Sequence, residues 1–173
     1  SLDIEDFDMD EAAAASVDEI EDESGGALTY AIIGSGQGGG RIAKAFFDLG
    51  YRKTVAINTA KSDLALLDLP DGHIFNKLRE IFGEKIDRIL ICVGAAGGTG
   101  GGSVLPLVDI AKRYFTYVGK EDASERVGVI ASLPTSGECA SPVVATNAYN
   151  RIQSLCASAA NGDFAPLIMI DND

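Results

Sequence analysis

The sequence is short of several things, and each shortage excludes a class of protein. Positive charge is the first: 14 basic residues face 26 acidic ones, a formal net charge of −12. A basic nucleic-acid-binding face is therefore not expected. Cysteine is scarce and odd in number, with Cys92, Cys139 and Cys156 in separate segments. That pattern suits a reducing cytoplasm, not a disulfide framework. No apolar run approaches the ~20 residues that cross a bilayer, and no signal peptide is recognisable. The chain has two glycine runs, at 34–40 and 94–102, and neither ends in lysine. A P-loop, which needs Gly-Lys-Ser/Thr, is thereby excluded. No repeat recurs along the 173 residues. That length fits one domain with a substantial core.

The acidity is local. Residues 1–26 hold eleven Asp and Glu and no Lys or Arg. The rest of the chain carries 15 acids against 14 bases, so its body is near neutral. The acidic tail reads in two ways. Its composition suits a solvated, disordered leader. Alternatively, Glu11-Ala12-Ala13-Ala14-Ala15 favours a short helix, with Met9, Ala13, Val17 and Ile20 roughly on one face. Such a helix would be free to dock on a neighbouring molecule. Ser24-Gly25-Gly26 ends the tail, and a second region, 27–173, follows.

That region alternates apolar and amphipathic segments. Strands are expected at 29–33, 54–57, 88–93, 127–131 and 166–170. Helices are expected at 41–49, 74–82, 103–114 and 143–158, with one or two helical turns at 62–67 and a turn at 69–72. Val104, Leu107 and Ile110 share one helical face. Cys92 and Cys156 read as core thiols, Cys139 as a loop thiol, and His73 as a lone turn histidine. Strands that are apolar without alternation, separated by helices, imply a mostly parallel sheet covered on both faces. The fold class expected is a three-layer, Rossmann-like α/β sandwich.

In such a sheet, ligands bind beyond the carboxyl ends of the strands, and both glycine runs fall there. Gly34-x-Gly36-x-x-Gly39 follows a strand and opens a helix. Glycines admit a phosphate close to backbone N–H groups, and a helix N-terminus adds about half a positive charge. An NAD site would next require an Asp or Glu about 20 residues on. Asn58-Thr59 stands there instead. The second run, Val93-Gly94-Ala95-Ala96-Gly97-Gly98-Thr99-Gly100-Gly101-Gly102-Ser103, is also more than one pyrophosphate needs. Two runs converging on one crevice suggest a triphosphate wrapped by backbone donors.

Ala96-Gly97-Gly98-Thr99-Gly100-Gly101-Gly102-Ser103 resembles the glycine-rich signature of the tubulin/FtsZ superfamily. Gly36-Gln37-x-Gly39-x-Arg41-Ile42 is similar to its first phosphate loop, with a TubZ-like detail. Ala56-Ile57-Asn58-Thr59, Pro134 with Glu138, and Ile170-Asp171-Asn172 resemble its second, fifth and sixth loops, in family order. Asp71-Gly72 stands where the third loop would fall.

The resemblance implies an N-terminal guanine-nucleotide domain that binds GTP or GDP with Mg²⁺. Gly36, Gln37 and Gly38 would face the phosphates, Gln37 near the metal, and Asn58 would order the second loop. Ala96, Gly97, Gly98, Thr99, Gly100 and Gly101 would wrap the β- and γ-phosphates. Glu138 would accept from the ribose hydroxyls and Asn172 would bond the base. Self-association into filaments is implied for the whole protein, in the service of division or of plasmid or phage DNA positioning.

Two departures stand out. Gly101 replaces a threonine of the usual signature. The chain also ends at Asp173, where the family continues into a central helix and an acidic catalytic loop. The expectation is a truncated chain that binds GTP and turns it over negligibly, with no catalytic residue of its own. An NAD-dependent oxidoreductase and a non-catalytic filament-binding regulator are the alternatives.

Overall fold

A computed structural model of the chain describes residues 4–6, 28–57, 73–96 and 104–171. Strand β1 is Ile4–Asp6, β2 is Tyr30–Ser35 and helix α1 is Gly36–Asp48. Strand β3, Thr54–Ile57, precedes α2, His73–Phe82, and β4, Arg88–Gly94. Helix α3, Val104–Tyr117, and the single turn α4, Ala123–Arg126, lead to β5, Val127–Ser132. A 3₁₀ turn at Glu138–Ala140, helix α5, Pro142–Ala160, and β6, Leu167–Ile170, complete the described chain.

The six strands form one sheet in the order β1-β3-β2-β4-β5-β6. The five strands β3, β2, β4, β5 and β6 run parallel. Only β1 runs antiparallel, with Ile4 opposite Ile57 and Asp6 opposite Val55. Strand β1 lies inside the acidic tail, at a position where no strand was foreseen. It pairs through backbone groups at a sheet edge, which side-chain composition does not report. Residues 9–20, the foreseen helix, lie outside the described residues, as do the turns foreseen at 62–72.

Both sheet faces are apolar over β2, β3, β4 and β5, whose residues are mostly buried, while β6 at the edge leaves Ile168 and Met169 exposed. Ala31, Ile33, Val55, Ile57, Ile89, Ile91, Val93, Val127, Val129 and Ala131 face one core, which α2, α3 and α5 complete with Leu78, Leu107 and Leu155. The alternate residues Ile32, Cys92 and Ile130 face the other core, under Ala43, Ile42 and Phe46 of α1. Period-two alternation within apolar strands thus builds three layers. Val104, Leu107 and Ile110 all point inward, as their spacing requires. The fully buried Tyr114 donates its hydroxyl to Gly83 O at 2.6 Å, tying α3 to the end of α2. A buried phenol needs such a partner. Gly83, at φ 71°, supplies the left-handed turn that stops α2.

Three local expectations differ from the structure. The first glycine run opens a helix as foreseen, but the helix expected at 41–49 already begins at Gly36, so Gly36–Gly40 are the opening turns of α1. Their poor helix propensity is overridden by packing against the sheet. His73 opens α2 instead of lying in a turn. Cys156 is exposed, not a core thiol, because it points away from the face that carries Leu155.

Candidate functional site

The parallel strands carry their carboxyl ends to one edge of the sheet. Ser35, Ile57, Gly94, Ser132 and Ile170 lie there, in register across neighbouring strands. From β2 the chain goes to β3 on one side and then to β4 on the other. A crevice opens where strand order reverses. Here that point lies between the ends of β2 and β4, and each of these strands leads into a glycine run.

The first run is shaped by close approach. A Cβ on Gly39 would stand 2.1 Å from Cys92 O, and one on Gly34 would stand 2.6 Å from Gly39 O. These two glycines are demanded by the seating of α1 on β2 and β4, not by a ligand. Gly36 has φ 71°, a conformation that side chains resist. Gly38 touches the second run directly: a Cβ there would lie 3.1 Å from Gly94 Cα. Gln37 is exposed beside it. The N-cap residue Ser35 makes no side-chain capping bond, and the first turn of α1 carries no acidic side chain. The opening N–H groups of α1, with their partial positive charge, thus meet no carboxylate of that turn.

The second run leaves β4 at Gly94 from a well-defined point. Ala95 donates its N–H to Ser132 O at 2.9 Å. Its carbonyl accepts from Arg151 Nη1, also at 2.9 Å. Ala96 follows, half-buried. Gly97, Gly98, Thr99, Gly100 and Gly101 lie outside the described residues, as do Asn58 and Asn172. Their neighbours reach the same edge: Ile57 ends β3, and Leu133 N donates to Ile170 O at 2.8 Å beside the end of β6.

Glu138 lies exposed in the 3₁₀ turn beyond β5. Its Oε1 accepts from both the backbone N–H and the hydroxyl of Thr135, each at 3.1 Å. Its own N–H donates to Thr135 Oγ1 at 3.1 Å. The carboxylate therefore holds the turn closed, a task sequence reasoning did not foresee.

Arg151 was also missed. It belongs to α5 and meets Ala95 across 56 positions of sequence, so no local motif marks it. Burial strips water from its guanidinium and lowers its pKa from the usual value. Beneath the crevice, burial pushes the Cys92 thiol up to about 12, so it is neutral at physiological pH. Among the described residues no three His, Cys, Asp or Glu side chains cluster as a metal site. None of the described helices is long and apolar enough to cross a membrane.

No protein-family model matches the sequence, and no curated protein matches it. Solved structures do. One is the crystal structure of GDP-form protofilaments of TubZ from Bacillus thuringiensis serovar israelensis. It is 22% identical with a TM-score of 0.57, over 95% of this chain and 49% of that one. Another is a TubZ of type III plasmid segregation, 22% identical with a TM-score of 0.52, over 89% of this chain and 47% of that one. The chain thus spans about half the length of the structures it matches. At that identity the likeness concerns the course of the backbone. Together with the sheet order and the two glycine runs at its switch point, it gives this chain the tubulin/FtsZ-like fold.

Proposed function

We propose that this chain is the guanine-nucleotide-binding portion of a TubZ-like cytoskeletal GTPase. The observation that carries the reading is the contact between the two glycine runs, Gly38 against Gly94, at the switch point of the sheet. Glycine on both sides lets backbone N–H groups approach phosphates from two directions. The N-terminus of α1 adds charge without a lysine. Gly36, Gln37 and Gly38 serve one side of the phosphate chain, and Ala96 through Gly101 serve the other. Asn58 orders the neighbouring loop, Glu138 accepts from the ribose, and Asn172 reads the base. For Glu138 that role adds to its bonds with Thr135.

Mg²⁺ fits this donor set as a companion of the nucleotide. It prefers hard oxygen donors and keeps several waters while bound to phosphates. Gln37, exposed at the start of α1, offers a side-chain carbonyl of that kind. When bound, the ion neutralises phosphate charge.

The chain's own residues bind and orient; they do not activate water. Backbone donors and a helix dipole stabilise phosphate in the ground state and the transition state alike, which does not speed the chemical step. Acceleration needs a group that positions the attacking water, and neither glycine run contains Asp, Glu or His. Hydrolysis and assembly into filaments belong to a protein in which this chain meets a neighbouring subunit.

The reading is tested by denaturing the purified protein and chromatographing the released nucleotide. Guanine nucleotide is the expected species. NAD or an adenine nucleotide, or no guanine nucleotide even after loading, would count against it.

A further inference from the structure

The geometry points to Arg151 as the residue that sets the orientation of the Ala95–Ala96 peptide, where the second glycine run leaves β4. The inference rests on the nucleotide site proposed above and assigns to that site a positioning residue. Arg151 sits on α5 between Ala148 and Leu155, both buried. The spacings of three and four residues put all three on the sheet-facing side of the helix. Helical side chains lean toward the helix N-terminus. In this fold the N-terminus of α5 lies at the carboxyl edge of the sheet, because α5 follows β5 and returns to feed the parallel β6. The guanidinium is thereby carried back up to Ala95.

What it does there follows from the peptide plane. A trans peptide is flat, and its C=O and following N–H point in opposite directions. Arg151 holds the Ala95 carbonyl at 2.9 Å, on the side of α5. The next N–H, that of Ala96, is therefore turned away from α5. The preceding group is fixed too, since the Ala95 N–H is bonded to Ser132 O. Both backbone groups of Ala95 are thus occupied, and the run that follows starts from a set direction. A glycine-rich segment has the widest choice of backbone angles, so it gains most from a fixed start. With the carbonyl released, the Ala95–Ala96 plane is free to rotate and point oxygen, instead of N–H, at an anion. The device also links the two sides of the site. The same helix that holds Ala95 begins just beyond the turn closed by Glu138 and Thr135.

The test uses the full chain and Arg151→Ala, Arg151→Gln and Arg151→Lys. The first readout needs no ligand. Amide hydrogen exchange at Ala95 should quicken in Arg151→Ala, while strands β4 and β5 exchange as in the parent. The second readout is binding of GMP, GDP and GTP by calorimetry. Arg151→Ala should weaken GDP and GTP by at least about tenfold, the effect of losing one charge-assisted hydrogen bond. GMP, which lacks the outer phosphates, should change by less than about threefold on the same ground. Arg151→Gln keeps an N–H donor without the charge and should recover part of the loss. If Arg151→Ala fails to fold, the comparison of Arg151→Lys with Arg151→Gln carries the same contrast between phosphates. Unchanged exchange at Ala95, or equal losses for GMP and GTP, overturns the assignment while leaving the nucleotide site intact. Failure of the parent chain to bind any guanine nucleotide overturns the proposed function, and the assignment with it.

Discussion

Alanine at two adjacent glycines of α1, Gly39 and Gly40, should have opposite effects. At Gly39 the new Cβ would stand 2.1 Å from Cys92 O, 2.9 Å from Cys92 C and 3.2 Å from Val93 Cα. All three are backbone atoms of β4, a strand hydrogen-bonded on both sides. No side chain can swing away, so α1 must lift off the sheet. Overpacking a core costs about 1–3 kcal/mol even where side chains can adjust. A clash with fixed backbone belongs at or above the top of that range, about 3 kcal/mol. At Gly40 the nearest atom to a new Cβ is Ala56 Cβ at 3.8 Å, an ordinary contact. There alanine only removes the helix penalty of glycine, a gain of about 0.5–1 kcal/mol. For a chain of this size 1 kcal/mol moves the melting midpoint by ~2–4 °C. Gly39→Ala should therefore melt about 6–12 °C below the parent and Gly40→Ala about 1–4 °C above it. Circular dichroism with heating reads both. A Gly39→Ala protein as stable as the parent would mean that α1 does not rest on Cys92 as described.

Other expectations follow from the same geometry. In the native protein a thiol reagent at pH 8 should modify Cys139 and Cys156, which are exposed, and spare Cys92, which is buried with its pKa near 12; three thiols reacting at one rate would contradict this. Asn172→Ala should weaken GTP more than inosine triphosphate, by about 1 kcal/mol, because inosine lacks the exocyclic amine the side chain would accept from; equal losses would remove Asn172 from base reading. Gly98→Val should abolish nucleotide binding in a folded protein, since a side chain there would hold backbone donors off the phosphate; unchanged affinity in a titration with a fluorescent GTP analogue would exclude Gly98 from the site. Phosphate release from GTP should stay at background at every protein concentration, and concentration-dependent hydrolysis would show that one of the chain's own acids is catalytic.

Much of the fold was legible because its causes are local and periodic. The apolar strands at 54–57 and 88–93 and the inward stripe of Val104, Leu107 and Ile110 lie as their patterns predict. The placement of both glycine runs beyond strands was legible for the same reason. What escaped depends on distant parts of the chain. Nothing near Ile4–Asp6 shows that its backbone will pair with β3, because the partner lies some fifty residues on. Gly39 reads only as the last glycine of a phosphate-loop motif until Cys92 O is found against it. Glu138 reads as a ribose ligand, but its bonds to Thr135 become visible only with the turn in place. Arg151 is one polar residue on a helix whose neighbours are mostly exposed, and only the sheet edge brings Ala95 within its reach.

The central claim is that both glycine runs form one guanine-nucleotide site. It is tested most directly by recording backbone amide resonances of the labelled chain while GDP is added with Mg²⁺. The account predicts that the amides of Gly36, Gln37 and Gly38 shift together with those of Ala96 through Gly101, along a single binding curve, and that NAD leaves them in place. Shifts confined to one run, or none on adding GDP, would contradict it.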